Sequence, residues 1–233
     1  MHRITLIAGD GIGPEVTSAA RAIVEASGAA VEFEPVVAGL EAERETGTPL
    51  PPQVFESICR NKLALKGPTY TPFGGNYRIS VARPRPDGSS EARTYPSIAI
   101  ALRKELALFV NLRPIKNYPN VKSRYENVDL LIFRENSEDL YVGNERMVNE
   151  GAAEAVKLIT RAASERVARF GFDYMQRVGR RKMTIAHKAN VLKLTDGLFL
   201  RTALDVAKTH PGIATDQRVI DALCTAQLSS MPT

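Results

Sequence analysis

The run Ile4-Thr5-Leu6-Ile7-Ala8-Gly9-Asp10-Gly11-Ile12-Gly13-Pro14-Glu15-Val16 decides the architecture of this chain. Its apolar start, Ile4 to Ala8, reads as a short buried strand. Alternate glycines then permit a tight turn, and Pro14 followed by Glu15 suits the first turn of a helix. The predicted helix runs from Pro14 to about Ala26, with Val16, Ala20, Ile23 and Val24 on one face and Gly28 placed to stop it. Two readings of the glycine turn stand. It brings backbone close to an anion at a helix N-terminus, or it is a plain strand-to-helix connection. It is not the dinucleotide fingerprint, because the third glycine comes one residue too early.

Outward from this unit, strands and helices alternate. Val31 to Val37 reads as a second strand, and Thr48 to Pro52 is punctuation before a short helix carrying Val54, Ile58 and Cys59. Leu63-Ala64-Leu65 is a third strand ending in Lys66-Gly67-Pro68. From Thr69 to about Tyr95 proline, glycine, serine and arginine are frequent, and an irregular, functional or disordered segment is expected. Regular structure resumes with a helix over Ser97 to Leu106 and strands over Leu108 to Leu112 and Asp129 to Phe133. The longest helix is expected over Ala152 to Phe170, with Val156, Ile159, Ala163, Val167 and Phe170 at helical spacing. A strand at Met183 to Ala186 and helices over Asp196 to Ala207 and Val219 to Leu228 complete the walk. The fold class is α/β, with mostly parallel sheet flanked by helices.

Composition excludes several classes. The 233 residues are 44% apolar and 24% charged, as in globular proteins with a buried core. The net charge of +5 comes with no run of consecutive Lys/Arg, so it suits anionic small molecules, and no nucleic acid is expected as the main partner. No apolar stretch approaches the ~20 residues of a membrane span. The strand-like start leaves no room for a targeting peptide. The two cysteines, Cys59 and Cys224, lack disulfide or metal spacing, which implies a reducing, cytoplasmic setting.

Chemistry concentrates at strand ends. Arg103 lies in the Ser97 to Leu106 helix, while Arg113 and Arg134 follow apolar strands. Guanidinium groups bind carboxylates through paired hydrogen bonds, so converging arginines suit a polycarboxylate, and independent surface arginines are the bland alternative. Arg134-Glu135-Asn136-Ser137-Glu138-Asp139-Leu140-Tyr141 and His187-Lys188-Ala189-Asn190 both place polar groups directly behind a strand, where active-site loops of α/β folds sit. A lysine there is an acid/base candidate, or merely solvated. His187 reads as a hydrogen-bonded structural residue, since no Cys or second His stands at ligand spacing.

Taken in order, these segments resemble the β-decarboxylating dehydrogenases, the isocitrate/isopropylmalate dehydrogenase family. The matching stretches are Ile7 to Val16, Leu65 to Pro68, Leu102 to Leu106, Asn111 to Pro114, Arg134 to Tyr141, His187 to Asn190 and Asp196-Gly197-Leu198-Phe199. The resemblance implies oxidation of a 2-hydroxy acid with NAD (or NADP) and Mg²⁺ or Mn²⁺, followed by loss of CO₂. It implies that Arg103, Arg113 and Arg134 clamp substrate carboxylates, that Lys188 serves proton transfer at the hydroxyl, and that Tyr141 protonates the enolate carbon. Asp221 matches a metal carboxylate, while Lys66, Thr71 and Asn190 fall where the family contacts substrate and nicotinamide. Lys188 and Asp221 would reach a neighbouring subunit's cleft, which implies a homodimer or a hetero-oligomer with a homologous subunit. The domains implied are 1–100, the N-terminal half of the large, cofactor-side domain with an irregular insertion at about 73–95, and 101–233, a smaller substrate and dimerisation domain.

Within the resemblance, Ser97 is similar to the serine with which isocitrate enzymes face the third carboxylate, though it is equally an ordinary helix N-cap. Ala99 replaces an asparagine usual in that group, so 3-isopropylmalate or a related malate is the alternative. If the insertion displaces the selecting segment, Ser80 takes the place of Ser97. The sequence ends at Thr233, before the family's further metal aspartates and adenosine loop, so weak or absent activity of this chain alone, or a non-catalytic regulatory role, is also expected.

Overall fold

The computed structural model describes residues 1–73, 77–84 and 90–229, in two compact units, Met1–Leu102 and Arg103–Thr233. In the first unit, β1 (His2–Ile7) is the centre of a parallel sheet between β2 (Val31–Val36) and β3 (Ala64–Lys66). Flanked on both sides, β1 buries Thr5, Leu6 and Ile7. Buried Thr5 is not left unpaired. Its hydroxyl is 2.7 Å from that of Ser57 and accepts from the Asn61 amide at 2.9 Å.

Helix α1 (Gly13–Ala26) follows the turn, but its buried positions are Gly13 and Thr17, with Ala20 and Val24 half-buried. Val16 and Ile23, expected in the core, are exposed at 44% and 71%. The small residues win because α1 lies close to the Lys66–Pro68 segment, where a bulky side chain has no room. After β2 come a short helix not foreseen, α2 (Leu40–Thr46), and α3 (Pro52–Asn61), which buries Val54 and Ser57.

The segment expected to be irregular contains an antiparallel pair, β4 (Ile79–Pro84) and β5 (Ser90–Tyr95). Ile79 and Val81 alternate with exposed Ser80 and Ala82, and Tyr95, opposite Ile79, is buried with them. The strand period was too short to read, and parts of the expected insertion, 74–76 and 85–89, lie outside the described residues. Helix α4 (Ile98–Glu105) then leads across the unit boundary.

The second unit has an antiparallel pair, β6 (Val110–Lys116) with β7 (Asp129–Glu135), and a parallel pair, β10 (Lys182–His187) with β11 (Ala214–Val219). Between them in sequence lie a 3₁₀ turn at Asp139–Val142 and the hairpin β8 (Glu145–Asn149) and β9 (Ala152–Ala155). The expected helix from Ala152 is therefore corrected. Residues 152–155 are a strand, and helix α5 runs over Arg161–Arg177, begun by Thr160, whose hydroxyl accepts from Ala163 N–H. Helix α6 (Thr195–Ala207) connects β10 to β11, and α7 (Ile220–Ser229) follows β11.

The core lies where α5 meets α6. Ala168, Phe172, Met175, Ile185, Ala203, Val206 and Ile213 are buried together, with Phe133 and Met183 packed against them. Gly171 permits this approach, since a Cβ there would stand 3.2 Å from Met183 and 3.4 Å from Phe133. Ala163 and Val167 of the expected apolar stripe are buried within the chain. Val156 and Ile159 precede the helix, and Val156 is exposed.

Candidate active site

The glycine turn of the first unit is a packing device. A Cβ on Gly9 would stand 1.9 Å from the Pro68 carbonyl oxygen, and one on Gly67 would stand 2.0 Å from that of Ala8. The β1–α1 turn and the Lys66–Pro68 segment interlock backbone to backbone. Asp10 completes the joint: its N–H donates to Pro68 O at 2.7 Å, while its carboxylate accepts from Leu40 N–H at 2.8 Å and Tyr70 N–H at 2.7 Å. Of the two readings of the turn, the structural connection explains Gly9 without any anion.

Lys66, at the end of β3, donates to Gly67 O at 2.9 Å and to the Thr69 hydroxyl at 3.2 Å. Thr71 is an exposed hydroxyl beyond it. The Ser97 hydroxyl accepts from Ile100 N–H at 3.3 Å, the contact of a helix cap, so the bland reading of this serine has its physical basis. Ser80 sits on the exposed face of β4.

In the second unit, strand register brings two of the three arginines to one face. Asn111 lies opposite Arg134, and Arg113 opposite Ile132. Opposed residues of an antiparallel pair share a face, so Arg113 and Arg134 are diagonal neighbours, within reach of long side chains. Phe133 projects to the other face, against α5, where its ring meets Phe170 at 6.2 Å and Tyr174 at 5.7 Å. Arg134 lies over the Tyr141 ring at 4.5 Å, and Arg113 Nε donates to the Asn111 side chain at 2.9 Å. Tyr141 is 54% exposed. Arg103 is half-buried near the end of α4.

Glu135, which ends β7, and Glu138 in the loop after it are structural. Glu135 accepts from Ser137 N–H at 2.7 Å and Glu138 N–H at 2.8 Å, and Glu138 accepts from Thr160 N–H at 2.8 Å. They hold the loop against the start of α5.

Lys188 and Asp221 meet because β10 and β11 are parallel with His187 opposite Val219. Each residue lies one or two positions beyond its strand, at the C-terminal ends where α/β folds place their sites. Lys188 Nζ is ion-paired with Asp221. His187 is buried, its Nε2 paired with the Gln217 side chain and its Nδ1 accepting from Ala189 N–H at 3.0 Å, as its structural reading requires. Asn190 is exposed on the following turn.

Sequence reading missed one cluster. Lys157 donates to Asp196 at 2.6 Å and lies 3.7 Å from Asp139, and the second Asp196 oxygen accepts Lys188 N–H at 2.7 Å. No spacing signal joins residues so far apart in the chain.

A divalent ion asks for several oxygen ligands. Among the described residues no group of three or more His, Cys, Asp or Glu is placed to hold a metal, and Asp221 is paired with Lys188. The described residues do not by themselves form the expected metal site. Also among the described residues, no helix is long and apolar enough to cross a membrane.

An α/β chain with arginines on one sheet face, and a lysine–aspartate pair at parallel strand ends, presents cationic groups suited to an anionic ligand. The family model described as isocitrate/isopropylmalate dehydrogenase matches residues 3–232, and the chain belongs to that family. It is 40% identical over 222 residues to the chloroplastic 3-isopropylmalate dehydrogenase of Solanum tuberosum, covering 95% of this chain and 57% of that protein. It is 41% identical over 229 residues to the mitochondrial regulatory subunit 1 of NAD isocitrate dehydrogenase of Arabidopsis thaliana, covering 98% and 56%. The crystal structure of isocitrate dehydrogenase from Methylococcus capsulatus superposes with a TM-score of 0.86 at 39% identity, covering 99% of this chain and 64% of that one. The fold is that of the isocitrate/isopropylmalate dehydrogenases. The chain spans little more than half the length of these two curated relatives.

Proposed function

We propose that this chain serves the oxidative decarboxylation of a 2-hydroxy acid, isocitrate to 2-oxoglutarate with NAD, as a subunit or part of a decarboxylating dehydrogenase. The observation that carries the proposal is the face of β6–β7, where Arg113 and Arg134 stand together and Arg134 lies against Tyr141. Two guanidinium groups there bind substrate carboxylates by paired, charge-assisted hydrogen bonds. Tyr141, its ring held by Arg134, delivers a proton to the enolate carbon left after CO₂ departs. Lys188, as the free amine, takes the proton of the substrate hydroxyl and becomes the ammonium, and Asp221 beside its Nζ holds the side chain at the strand ends. Arg103 in the second unit and Ser97 in the first are each read, by the resemblance, as a further carboxylate contact. Thr71, an exposed hydroxyl after β3 in the first unit, and Asn190, an exposed amide after β10 in the second, are each read as a cofactor contact, since each offers hydrogen-bonding groups to solvent. NAD, when bound, supplies the hydride acceptor. NADP and 3-isopropylmalate are the competing cofactor and substrate.

A dimer, or a pairing with a homologous subunit, is supported by the β8–β9 hairpin. Every residue of both strands is exposed, including Met147 at 64% and Val148 at 57%. Both cysteines are free and exposed, which supports a reducing compartment. The test is nicotinamide reduction by an assembly containing this chain, with isocitrate and 3-isopropylmalate compared, in native and Lys188→Met forms. Loss of a positioned acid/base group lowers kcat by about 10²-fold or more. Unchanged turnover in Lys188→Met removes the catalytic reading. It would leave a regulatory role as the reading.

A further inference from the structure

Lys157 lies outside every motif that carries the family resemblance, whereas its partners Asp139 and Asp196, and Lys188 beyond them, fall within those motifs. Lys157 sits in the connection between β9 and α5, with its side chain only 24% exposed. Its ammonium reaches two carboxylates from different parts of the chain. Asp196, 13% exposed in the first turn of α6, takes a 2.6 Å hydrogen bond on Oδ1, and Asp139 Oδ2 lies 3.7 Å away. Asp139 opens the 3₁₀ turn that carries Tyr141 two residues on. The other oxygen of Asp196 accepts the backbone N–H of Lys188 at 2.7 Å. A backbone bond closes the cluster: Asp139 N–H donates to Leu158 O at 3.0 Å.

We infer that Lys157 is a positioning residue, tying the Tyr141-bearing turn to the Lys188-bearing strand end through Asp139 and Asp196. Asp139 holds a left-handed backbone, with φ of +70°, which a non-glycine residue keeps only when its surroundings impose it. The Leu158 carbonyl and the Lys157 ammonium are those surroundings. Asp196 sits in the first turn of α6, where the helix dipole favours an anion. Without the ammonium, Asp139 and Asp196 become neighbouring carboxylates with no cation between them. In a partly buried site their repulsion is weakly screened, so the turn moves away from α6. A neutral, isosteric chain does not restore the tie, whereas any cation of similar reach does. Lys157 touches neither substrate nor cofactor in this scheme. It acts through the two groups it spaces.

The inference rests on the acid/base reading of Tyr141 and Lys188, so its test has one readout independent of catalysis. Amide hydrogen exchange is followed by mass spectrometry on the intact chain in native, Lys157→Met, Lys157→Arg and Lys157→Met/Asp139→Asn forms. Lys157→Met is expected to raise exchange by about tenfold or more in peptides covering 139–143 and 188–192, the scale of losing a charge-assisted hydrogen bond. Helix α5, immediately downstream, should keep its protection. Lys157→Arg should restore both segments. The double variant should recover most of the loss at 139–143, because the repulsion is gone. In an active assembly, Lys157→Met should lower kcat by about tenfold while KM changes by less than about threefold, since substrate-binding arginines are untouched. Exchange that rises throughout α5, or in only one segment, or not at all, overturns the tie. If Lys157→Met does not fold, the double variant decides: native-like exchange at 139–143 upholds the tie, and exchange as high as in an unfolded peptide overturns it. Loosened segments with normal turnover in Lys188→Met would instead leave the tie standing and refute the acid/base reading.

Discussion

Substituting Gly9 by alanine probes the interlock that organises the first unit. Both Gly9, with φ of +78°, and Gly11, with φ of +60°, hold left-handed backbones. An alanine at either position therefore carries about 1–2 kcal/mol of backbone strain. Their surroundings differ. A Cβ on Gly11 meets nothing within 4 Å, whereas one on Gly9 would stand 1.9 Å from Pro68 O. Relieving that overlap moves the Lys66–Pro68 segment by more than about 1 Å. The bonds at risk are Asp10 N–H to Pro68 O at 2.7 Å and Gly67 N–H to Ile7 O at 2.8 Å. Each is worth about 1 kcal/mol net. With the strain included, Gly9→Ala should cost about 3–4 kcal/mol, and Gly11→Ala about 1–2 kcal/mol. The chain has no tryptophan, so urea unfolding is followed by circular dichroism. With slopes of about 1–3 kcal/mol per molar urea, Gly9→Ala should lower the midpoint by about 1–4 M, and at any one slope clearly more than Gly11→Ala. Equal shifts for the two variants would refute the interlock. A Gly9→Ala protein of native stability that has lost anion binding would restore the ligand-cradle reading of the turn.

Two further outcomes are expected. Asp129 is held below the usual carboxylate range, chiefly by its hydrogen bond from Arg180 and then by the charges of Arg180 and Lys116. Its stabilisation is therefore complete above the ordinary carboxylate pKa of about 3.9 and lost as pH falls through the lower folded value. Asp129→Asn should flatten the acid limb of a stability-versus-pH curve, and an unchanged limb would show the ion pair contributes nothing. Met147→Asp, on the exposed β8–β9 hairpin, should weaken self-association by about tenfold or more with the fold intact. Sedimentation velocity at micromolar concentration reads this out, and a dimer that persists unchanged would place the interface elsewhere.

Local signals in the sequence determined the α/β class and many of the secondary elements. The Gly9–Gly13 turn, the Thr160 to Arg177 amphipathic stretch in part, and the apolar runs at β1, β7 and β10 announce themselves because their period and turn chemistry are local. The candidate residues were legible one by one, as polar groups behind strands. Their grouping was not. Arg113 and Arg134 share a face only because Asn111 pairs with Arg134, and Lys188 meets Asp221 only because His187 pairs with Val219. Strand register is a long-range choice, made by the packing of Phe133 on α5 and Ile185 in the α5–α6 core, and a one-residue slip would turn each of these side chains to the other face. The same holds for α1, where the apolar pattern points to Val16 and Ile23 but close approach to the Lys66–Pro68 segment selects Gly13 and Thr17 for burial. It holds for Lys157 as well, whose two carboxylates come from a turn and a helix start that only the folded chain brings within reach of one ammonium.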